Sequence, residues 1–338
     1  MGSERDHPPR PRGRFAPSPT GPVHLGNART ALVAWLSVRA RGGEMVYRVE
    51  DLDPPRVVAG MAEQQQRDLE WLGLDWDEGP NAGGSHPPYV QAERFGIYAA
   101  TLRRLERDGR LFPCSLSRRE LESIASAPHG REGSPYPASL RPLDVGPGWL
   151  ERVLAGEVRV DAVRFRVEPG EVRWNDLLLG PQCERVDVEV GDFVLRRRDG
   201  LWAYQLAVVV DDVAMAITEV VRGADLLSST GRQILLFEAL GAAPPSFGHV
   251  PLLLGPGGQK LSKRARSLTL GSLREAGIPA EQVVGYLAWT LGLRDRVEPV
   301  RSRDLIESFS WAAIAREAVL VPDDLAQRLG ELPGGIPP

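Results

Sequence analysis

The N-terminal part of the chain alternates between strand-like and helix-like patterns of apolar residues. Residues 14–18 predict a short strand that runs into a Pro- and Gly-rich turn at 19–22. From Asn27, apolar side chains recur at helical spacing as far as Arg41, and the apolar run 45–49 predicts a second strand. A strand, a helix and a second strand in this order are typical of the βαβ unit of a parallel sheet.

Similar patterns continue towards the C-terminus. Residues 204–212 predict a buried element that leads into an acidic turn, and 217–222 predict a further strand. Helical spacing predicts helices over 60–72, 89–107, 230–240, 283–291, 304–315 and 323–329.

The stretch from 110 to 192 is rich in Pro, Gly and Arg, and its short apolar segments, such as 163–167 and 186–190, predict an insertion with its own small sheet. We therefore expect an α/β fold with a doubly wound, Rossmann-type parallel sheet, a small inserted α/β subdomain and a short C-terminal helical region. The predicted units are a disordered leader (1–13), a Rossmann catalytic domain (14–109 and 193–270), the insertion (110–192) and a helical C-terminal region (271–338).

The composition is that of a globular protein, with 42% hydrophobic and 25% charged residues. No apolar run approaches the roughly 20 residues of a membrane-spanning helix, and the polar N-terminus lacks the apolar core of a secretory signal. Two cysteines, Cys114 and Cys183, cannot form a disulfide framework, which favours a reducing cytoplasm. A net charge of −4 argues against nucleic-acid binding through bulk charge, although not against a local basic face.

Lysine is confined to one short segment. Of 41 basic residues, 39 are arginine, and the two lysines are Lys260 and Lys263. Lysine offers a compact, mobile point charge that arginine does not. Because the segment follows a flexible Pro-Gly-Gly at 256–258, it can close over a triphosphate and stabilise the charge that develops as pyrophosphate leaves. The alternatives are chance placement and a solvated basic loop.

The turn before the first predicted helix presents His24 and the backbone of Gly26 at a helix N-terminus. Such an end carries unpaired N–H groups and partial positive charge, which suit phosphate. His24 can donate a hydrogen bond to phosphate oxygens, and Gly26 leaves space for a purine ring. The alternative is a capped helix with a structural histidine.

Taken together, the two segments resemble the signatures of a known family. Residues 24–27 are similar to the His-Ile-Gly-His signature of class I aminoacyl-tRNA synthetases, and 260–264 are similar to their Lys-Met-Ser-Lys-Ser signature. Asn27 departs from the second histidine, at a position where the glutamate branch commonly varies. The resemblance implies an ATP-dependent ligase that uses ATP with Mg²⁺, with His24 and Lys263 as catalytic residues. The implied ATP contacts are His24, Gly26, Asn27, Lys260, Ser262 and Lys263.

The segments 14–21, 47–51, 209–212 and 220–225 resemble glutamyl-tRNA synthetases, so that the resemblance covers most of residues 14–270. The glutamate contacts that it implies are Arg14, Ala16, Ser18, Glu50, Tyr204 and Arg222.

The same residues suit a glutamate ligand on chemical grounds, because glutamate has one ammonium group and two carboxylates. Arg14 and Arg222 can bind carboxylates in bidentate geometry, and Glu50 suits the ammonium group. Tyr204 and Ser18 can add hydrogen bonds. The alternative for Glu50 is a surface ion pair with Arg48.

Only 74 residues follow Arg264, fewer than the usual anticodon-binding domains need. With the segments 50–56 and 204–207, this resembles the glutamyl-Q tRNA(Asp) synthetases, a truncated branch that activates glutamate and attaches it to the queuosine base in the anticodon of tRNA(Asp). The implied partners are L-glutamate, ATP and tRNA(Asp) bearing queuosine, in a cytoplasmic monomer that does not bind membranes. Two alternatives stay open: a truncated glutamyl-tRNA synthetase that charges a tRNA 3′ end, and a non-catalytic RNA-binding relic of the fold.

The glutamyl-Q branch usually has a zinc site in its insertion, with ligands in a Cys-x-Cys and a later Tyr-x-x-x-Cys arrangement. The aligned positions here are Cys114, Leu116, Tyr136 and Leu140. Leucine cannot bind zinc and can pack in the same space, so we predict that zinc is absent. Elemental analysis of the purified protein tests this, and one zinc atom per chain would contradict it. Cys183 is predicted to be a buried small residue rather than a ligand.

Arginines cluster around the start of the predicted insertion. They are candidates for contacts with RNA phosphates, and the alternative is a solvated helix face. The cluster comprises Arg103, Arg104, Arg107, Arg110, Arg118 and Arg119.

Overall fold

The computed structural model describes residues 10–116, 120, 136, 138–157, 162–259, 261 and 268–331. The α-helices in this part of the chain are α1 (Leu25–Arg39), α2 (Met61–Trp71), α3 (Phe95–Arg107), α4 (Trp149–Ala155), α5 (Tyr204–Ala214), α6 (Thr230–Ala239), α7 (Leu270–Glu275), α8 (Ala280–Thr290) and α9 (Leu325–Gly330). The strands are β1 (Arg12–Phe15), β2 (Glu44–Tyr47), β3 (Leu111–Cys114), β4 (Ala162–Phe165), β5 (Glu171–Asp176), β6 (Gly180–Arg185), β7 (Phe193–Arg196), β8 (Glu219–Gly223), β9 (Ser246–Val250), β10 (Leu253–Leu254) and β11 (Val319–Leu320).

Parallel strands form the centre of the molecule. β1 pairs in parallel with β2, and β8 pairs in parallel with β9. Just before β8, the backbone N–H of Thr218 donates to the carbonyl of Arg12 at 2.9 Å, which places β8 beside β1. β5 joins the far side of β9 through Asp176 and Phe247, and β6 runs antiparallel to β5.

The central strands are buried on both faces. In β2, Met45 and Tyr47 pack into one hydrophobic core, while Val46 between them packs into the other. In β8, Val221 and Val220 divide between the same two cores. Because successive side chains of a strand point to opposite faces, this division requires layers on both sides of the sheet. α1 and α8 cover one face, and α3 and α5 cover the other, which confirms the doubly wound α/β fold.

The predicted insertion contributes to two sheets. β3 and β4 form a separate antiparallel sheet with β7, which lies just beyond the predicted insertion bounds of 110–192, whereas the hairpin β5–β6 attaches to the central sheet. Residues 186–190 were expected to be a short sheet segment like 163–167, but Val186–Val190 form a single π-helical turn. The segment 163–167 does contribute to a strand, β4.

Residues 204–212 form most of helix α5, and the predicted acidic turn at their end is wrong. Asp211 and Asp212 lie inside α5 and are buried, and their charges are compensated by hydrogen bonds from Arg94 at 2.6 Å and Arg48 at 2.7 Å, respectively.

The chain termini differ from the prediction in two places. β1 begins at Arg12, inside the predicted leader, and residues 11–13 are buried. The helix predicted over 304–315 is instead a pair of 3₁₀ turns, Ser302–Leu305 and Trp311–Ala313. The C-terminal region also supplies β11, which pairs in parallel with β10.

The four positions aligned with zinc ligands lie close together in a small apolar cluster. Cys114 and Tyr136 form it with Phe112, and Leu116 and Leu140 pack against it. The Tyr136 hydroxyl donates to the Leu140 carbonyl at 2.9 Å. The zinc content itself stays a prediction.

Two further expectations concern surface residues. Cys183 is exposed on β6, so its predicted burial is wrong, because it lies on the open face of the β5–β6 hairpin. In the arginine cluster, Arg103 pairs with Glu151 at 2.7 Å and Arg110 lies 5.0 Å over the ring of Phe165. Arg104 and Arg107 are exposed on α3, and Arg118 and Arg119 lie outside the described residues. Among the helices that are described, none has the length and apolar composition to cross a membrane.

Candidate active site

A cavity of about 350 Å³ lies beyond the carboxyl ends of β1 and β8, beside the N-terminus of α1. In open parallel sheets, ligands bind at this edge. Most of the predicted site residues line it, namely Arg14, Ala16, His24, Gly26, Asn27, Glu50, Tyr204 and Arg222. Ser18 does not line this cavity and instead lines a neighbouring one.

The two distant segments meet at this cavity. Leu261, between the two lysines, is buried and lines the cavity wall. Downstream of the lysine segment, Thr269 forms a β-bridge with His24, and the Leu270 N–H donates to the Val23 carbonyl at 2.8 Å. The described flanks of the lysine segment therefore lie against the His24 loop. Lys260, Ser262 and Lys263 fall outside the described residues.

His24 is the N-cap of α1, which begins at Leu25 rather than at Asn27. Its Nδ1 accepts hydrogen bonds from the N–H groups of Gly26 at 3.1 Å and Asn27 at 3.3 Å. An accepting Nδ1 carries no proton, so the neutral ring holds its proton on Nε2. Burial lowers the pKa of His24, although the charge of Asp225 opposes this. His24 is therefore a neutral donor near pH 7.

Gly26 packs closely against the histidine ring. A Cβ atom on Gly26 would lie 3.0 Å from Cε1 and 3.1 Å from Nδ1 of His24. A larger residue would require the ring to shift by a few tenths of an ångström, which is a reason for glycine that the sequence did not reveal.

Arg222 is buried and held on three sides by neutral acceptors. Its Nε donates to His249 Nε2 at 3.0 Å, Nη1 donates to Gln233 Oε1 at 2.6 Å, and Nη2 donates to Thr230 Oγ1 at 2.9 Å. Neutral acceptors fix the orientation of the guanidinium without cancelling its charge. The charge is therefore available to an anion in the cavity.

Arg14 lies on β1, which neighbours β8, and Glu50 lies just after β2. Arg14 Nη1 donates to the Val221 carbonyl at 3.3 Å, and its Nε lies 3.8 Å from Asp212 Oδ1. Glu50 accepts from Arg48 Nη2 at 2.9 Å. Burial raises the pKa of Glu50, while the charges of Arg48 and Arg14 oppose the rise. The Arg48–Glu50 pair exists but is buried, so the surface ion pair considered from sequence is wrong.

These groups suit a small ligand with two negative charges and one positive charge. Arg14 and Arg222 supply two positive charges, and Glu50 supplies one negative charge. Tyr204 adds a hydroxyl group, and burial followed by the charge of Glu50 raises its pKa, so it stays protonated.

A second cavity of about 420 Å³ adjoins the first, and Glu50 and Tyr204 line both. It is also lined by polar, charged and aromatic side chains from three segments, namely Ser18, Asp53, Arg56, Arg197 and Trp202. The exposed Arg56 lies 3.9 Å from Asp53.

Sequence reasoning missed His249, Asp176 and Asp225. Asp225 lines the first cavity, and His249 lies behind Arg222 with Asp176 against it at 2.5 Å. A signal for His249 existed, because it is a lone titratable residue in the apolar run 247–254 just before the lysine segment.

Comparison with known proteins connects this geometry to a family. The profile of the class I tRNA synthetases (E and Q), catalytic domain, matches residues 11–325. The chain is 50% identical over 325 residues to a protein of Symbiobacterium thermophilum named glutamyl-Q tRNA(Asp) synthetase, covering 96% of this chain and 98% of that relative. A relative of the same name from Nitratidesulfovibrio vulgaris is 47% identical, with 94% and 98% covered.

Solved structures show the same relationship. A crystal structure of a glutamate tRNA ligase from Elizabethkingia meningosepticum, in complex with its amino acid, superposes with a TM-score of 0.80 at 30% identity, covering 95% of this chain and 68% of that one. The chain therefore belongs to the class I tRNA synthetase family of the glutamate and glutamine type, within its glutamyl-Q tRNA(Asp) synthetase branch.

Proposed function

We propose that this protein activates L-glutamate with ATP and transfers the glutamate to the queuosine base in the anticodon of tRNA(Asp). The observation that carries the proposal is a single cavity lined by two arginines, a buried carboxylate and a neutral histidine at a helix N-terminus. The name shared by relatives at 47–50% identity supports queuosine as the acceptor.

Glutamate binds in this proposal through charge complementarity. Arg222 and Arg14 pair with its carboxylates, and Glu50 accepts from its ammonium group. Tyr204 donates a hydrogen bond from the side that the two cavities share. Ala16 lines the amino-acid pocket, and Ser18 contributes from the neighbouring cavity.

Activation is an in-line displacement at the α-phosphorus of ATP. An oxygen of the glutamate carboxylate attacks the phosphorus, the bond to the bridging oxygen breaks, and pyrophosphate leaves. Mg²⁺ bound to the triphosphate would neutralise part of its charge. His24 donates from Nε2 to phosphate oxygens at the α1 N-terminus, where Gly26 and Asn27 line the same part of the cavity. The roles assigned to Lys260, Ser262 and Lys263 are to bind the phosphates and stabilise the leaving charge.

In the transfer step, a hydroxyl group of the queuosine cyclopentene ring attacks the activated carbonyl carbon. The new ester bond forms as the bond to the AMP phosphate oxygen breaks, and that phosphate takes up the hydroxyl proton. The second cavity suits the acceptor, because it opens onto the same Glu50 and Tyr204 that line the amino-acid pocket. Positioning and electrostatic stabilisation supply the catalysis.

Pyrophosphate exchange with glutamate and ATP, in the absence of tRNA, tests the activation step. Exchange is expected without tRNA, whereas a non-catalytic relic gives none. Transfer of labelled glutamate to tRNA(Asp) with and without queuosine tests the acceptor. Labelling that is independent of queuosine and located at a 3′ end would favour the truncated glutamyl-tRNA synthetase instead.

Substitution of Gly26 by alanine is expected to raise the KM for ATP by about tenfold, because a Cβ placed 3.0 Å from the His24 ring displaces a phosphate donor that contributes about 1–2 kcal/mol. The KM for glutamate should stay the same. Gly21→Ala is the matched control, since a Cβ at Gly21 meets nothing within 4 Å. Steady-state exchange kinetics measure both constants, and an unchanged KM for ATP would rule out this role of Gly26.

Substitution of Arg56 by alanine is expected to lower transfer to tRNA(Asp) by about tenfold while leaving pyrophosphate exchange intact, because Arg56 lines only the second cavity. Arg301→Ala is the control. Arg301 is similarly exposed and also pairs with an aspartate three residues away, Asp304, but it lies outside both cavities. Equal transfer by the two variants would contradict the placement of the acceptor.

A further inference from the structure

A line of buried polar side chains runs behind Arg222, away from the cavity. Arg222 on β8 is the direct register partner of His249 on β9, and Asp176 at the end of β5 lies beyond it. His249, Asp176 and Arg222 are 0%, 1% and 4% exposed. Such a chain of three buried polar residues from three adjacent strands is expensive to form unless every group is paired.

The hydrogen bonds of this chain determine where its protons lie. The Nε of Arg222 is a donor, so Nε2 of His249, 3.0 Å away, must accept and carries no proton. The proton of the neutral ring is then on Nδ1, which donates to Asp176 Oδ2 at 2.5 Å. Asp176 thereby selects the imidazole tautomer that Arg222 requires.

Asp176 is itself fixed by the backbone. Its Oδ1 accepts from the N–H groups of Leu178 at 3.0 Å and Leu179 at 2.9 Å. Burial acts to raise the pKa of Asp176, but the hydrogen bonds from His249 and from these backbone groups hold it below the usual range. Asp176 therefore stays ionised and rigid.

We propose that Asp176 and His249 are positioning residues, which set the orientation of the Arg222 guanidinium for a carboxylate of the substrate through this directional chain of hydrogen bonds. The inference rests on the proposed function, in which Arg222 binds glutamate. The chain leaves the cavity-facing N–H groups of Arg222 preorganised, so less orientational freedom is lost on binding.

The hydrogen bonds that link Arg222, His249 and Asp176 depend on pH, and acid is expected to disrupt them. The charged groups that act on His249 are Asp176 from β5, Arg222 from β8 and Asp225 from the turn after β8. Burial lowers the pKa of His249. The hydrogen bond to Asp176 acts to raise this pKa, and the charge of Arg222 acts to lower it. As pH falls below the ordinary value of 6.5 towards this lowered pKa, Nε2 gains a proton and faces the Nε–H of Arg222. Two donors and two positive charges then repel, and Arg222 moves.

Two substitutions of His249 test the inference in glutamate-dependent pyrophosphate exchange. His249→Phe keeps an aromatic ring but removes the acceptor, and it should raise the KM for glutamate about fivefold to tenfold with the KM for ATP unchanged. His249→Gln restores a carbonyl acceptor and should recover part of this loss.

The pH profile separates positioning from mere packing. In the wild type, the KM for glutamate should rise as the pH falls below the ordinary histidine value of 6.5, because the pKa of His249 is lowered from it. In His249→Gln this rise should shrink to what Glu50 and the substrate cause, because glutamine does not titrate. A rise of equal size in both proteins would overturn the inference.

Nitrogen NMR of the unmodified protein provides a test that needs no variant. In labelled protein, the resonances assigned to His249 should show the Nδ1–H tautomer with its proton in a strong hydrogen bond. Assignment of His249 to the Nε2–H tautomer would overturn the proposal. If the wild type shows no glutamate-dependent exchange, the proposed function fails. If it does, and both His249 variants fold with an unchanged KM for glutamate, the inference alone fails.

Discussion

Substitution of Arg222 by lysine is expected to lower kcat/KM for glutamate in pyrophosphate exchange by about 10²–10³-fold. Lysine keeps the positive charge but loses the planar fork that binds a carboxylate in bidentate geometry. It also cannot reproduce three directed bonds at once, from Nε to His249, from Nη1 to Gln233 and from Nη2 to Thr230. Each charge-assisted bond contributes about 1.5–3 kcal/mol, and a tenfold effect corresponds to about 1.4 kcal/mol.

The control for this prediction is Arg12→Lys. Arg12 is also a buried arginine of the central sheet, but it lies at the opposite end of β1 and pairs with Glu78 at 2.7 Å, away from the cavity. The Arg12→Lys substitution should lower the stability of the protein without changing the KM for glutamate. If the two variants affect exchange to the same extent, the loss in Arg222→Lys comes from folding rather than from binding. An unchanged KM in a folded Arg222→Lys protein would remove Arg222 from the glutamate site.

The sequence pattern predicts those helices in which polar residues interrupt the apolar run. α1 and α6 were predicted within a few residues because such interruptions occur at helical spacing, and β2 was predicted as a short apolar run. α5 was not recognised as a helix, because the run Leu206–Val210 is apolar without interruption. The reason is that these residues are buried on all sides, so no polar face marks the period.

The candidate site divides in the same way. Arg14, Glu50 and Arg222 could be predicted because each lies in a short sequence segment that resembles a known family. The structure places all three in one cavity. The hydrogen-bonded side chains behind Arg222 could not be predicted, since Asp176 and His249 are 73 residues apart and only strand pairing brings them together. Spacing along the sequence carries no information about such a contact.

A similar long-range network lies beneath Glu50. Arg48 is completely buried and pairs with Asp212 at 2.7 Å, Glu50 at 2.9 Å and Asp211 at 3.8 Å. Asp211 has further partners, because Arg94 donates to it at 2.6 Å, and Gln91 and Tyr98 also donate to it. From sequence, Arg48 was weighed only as one half of a surface pair. The structure shows it to be the centre of a buried group of charges that joins the segment just after β2 to α5.

Substitution of Arg48 by methionine is therefore expected to destabilise the fold by about 3–5 kcal/mol, which is a large part of the 5–15 kcal/mol that typical domains possess. Methionine fills a similar volume, so packing changes little. The cost comes from Asp212 and Glu50, which stay buried with less compensating charge. Urea unfolding monitored by circular dichroism measures the effect. Arg103→Met is the control, since Arg103 pairs with Glu151 on the surface, and it should leave the unfolding midpoint unchanged.

The double substitution Arg48→Met with Asp212→Leu decides whether the unpaired charge is the cause. Removal of both members of a buried pair is often nearly neutral, whereas removal of one leaves a desolvated charge without compensation. The double variant should therefore recover more than half of the stability that Arg48→Met loses. If it is less stable than the single variant, the effects of Arg48 and Asp212 add, and Arg48 contributes by packing rather than by charge. Exchange activity should not recover with stability, because Glu50 would still lack the partner that orients its carboxylate.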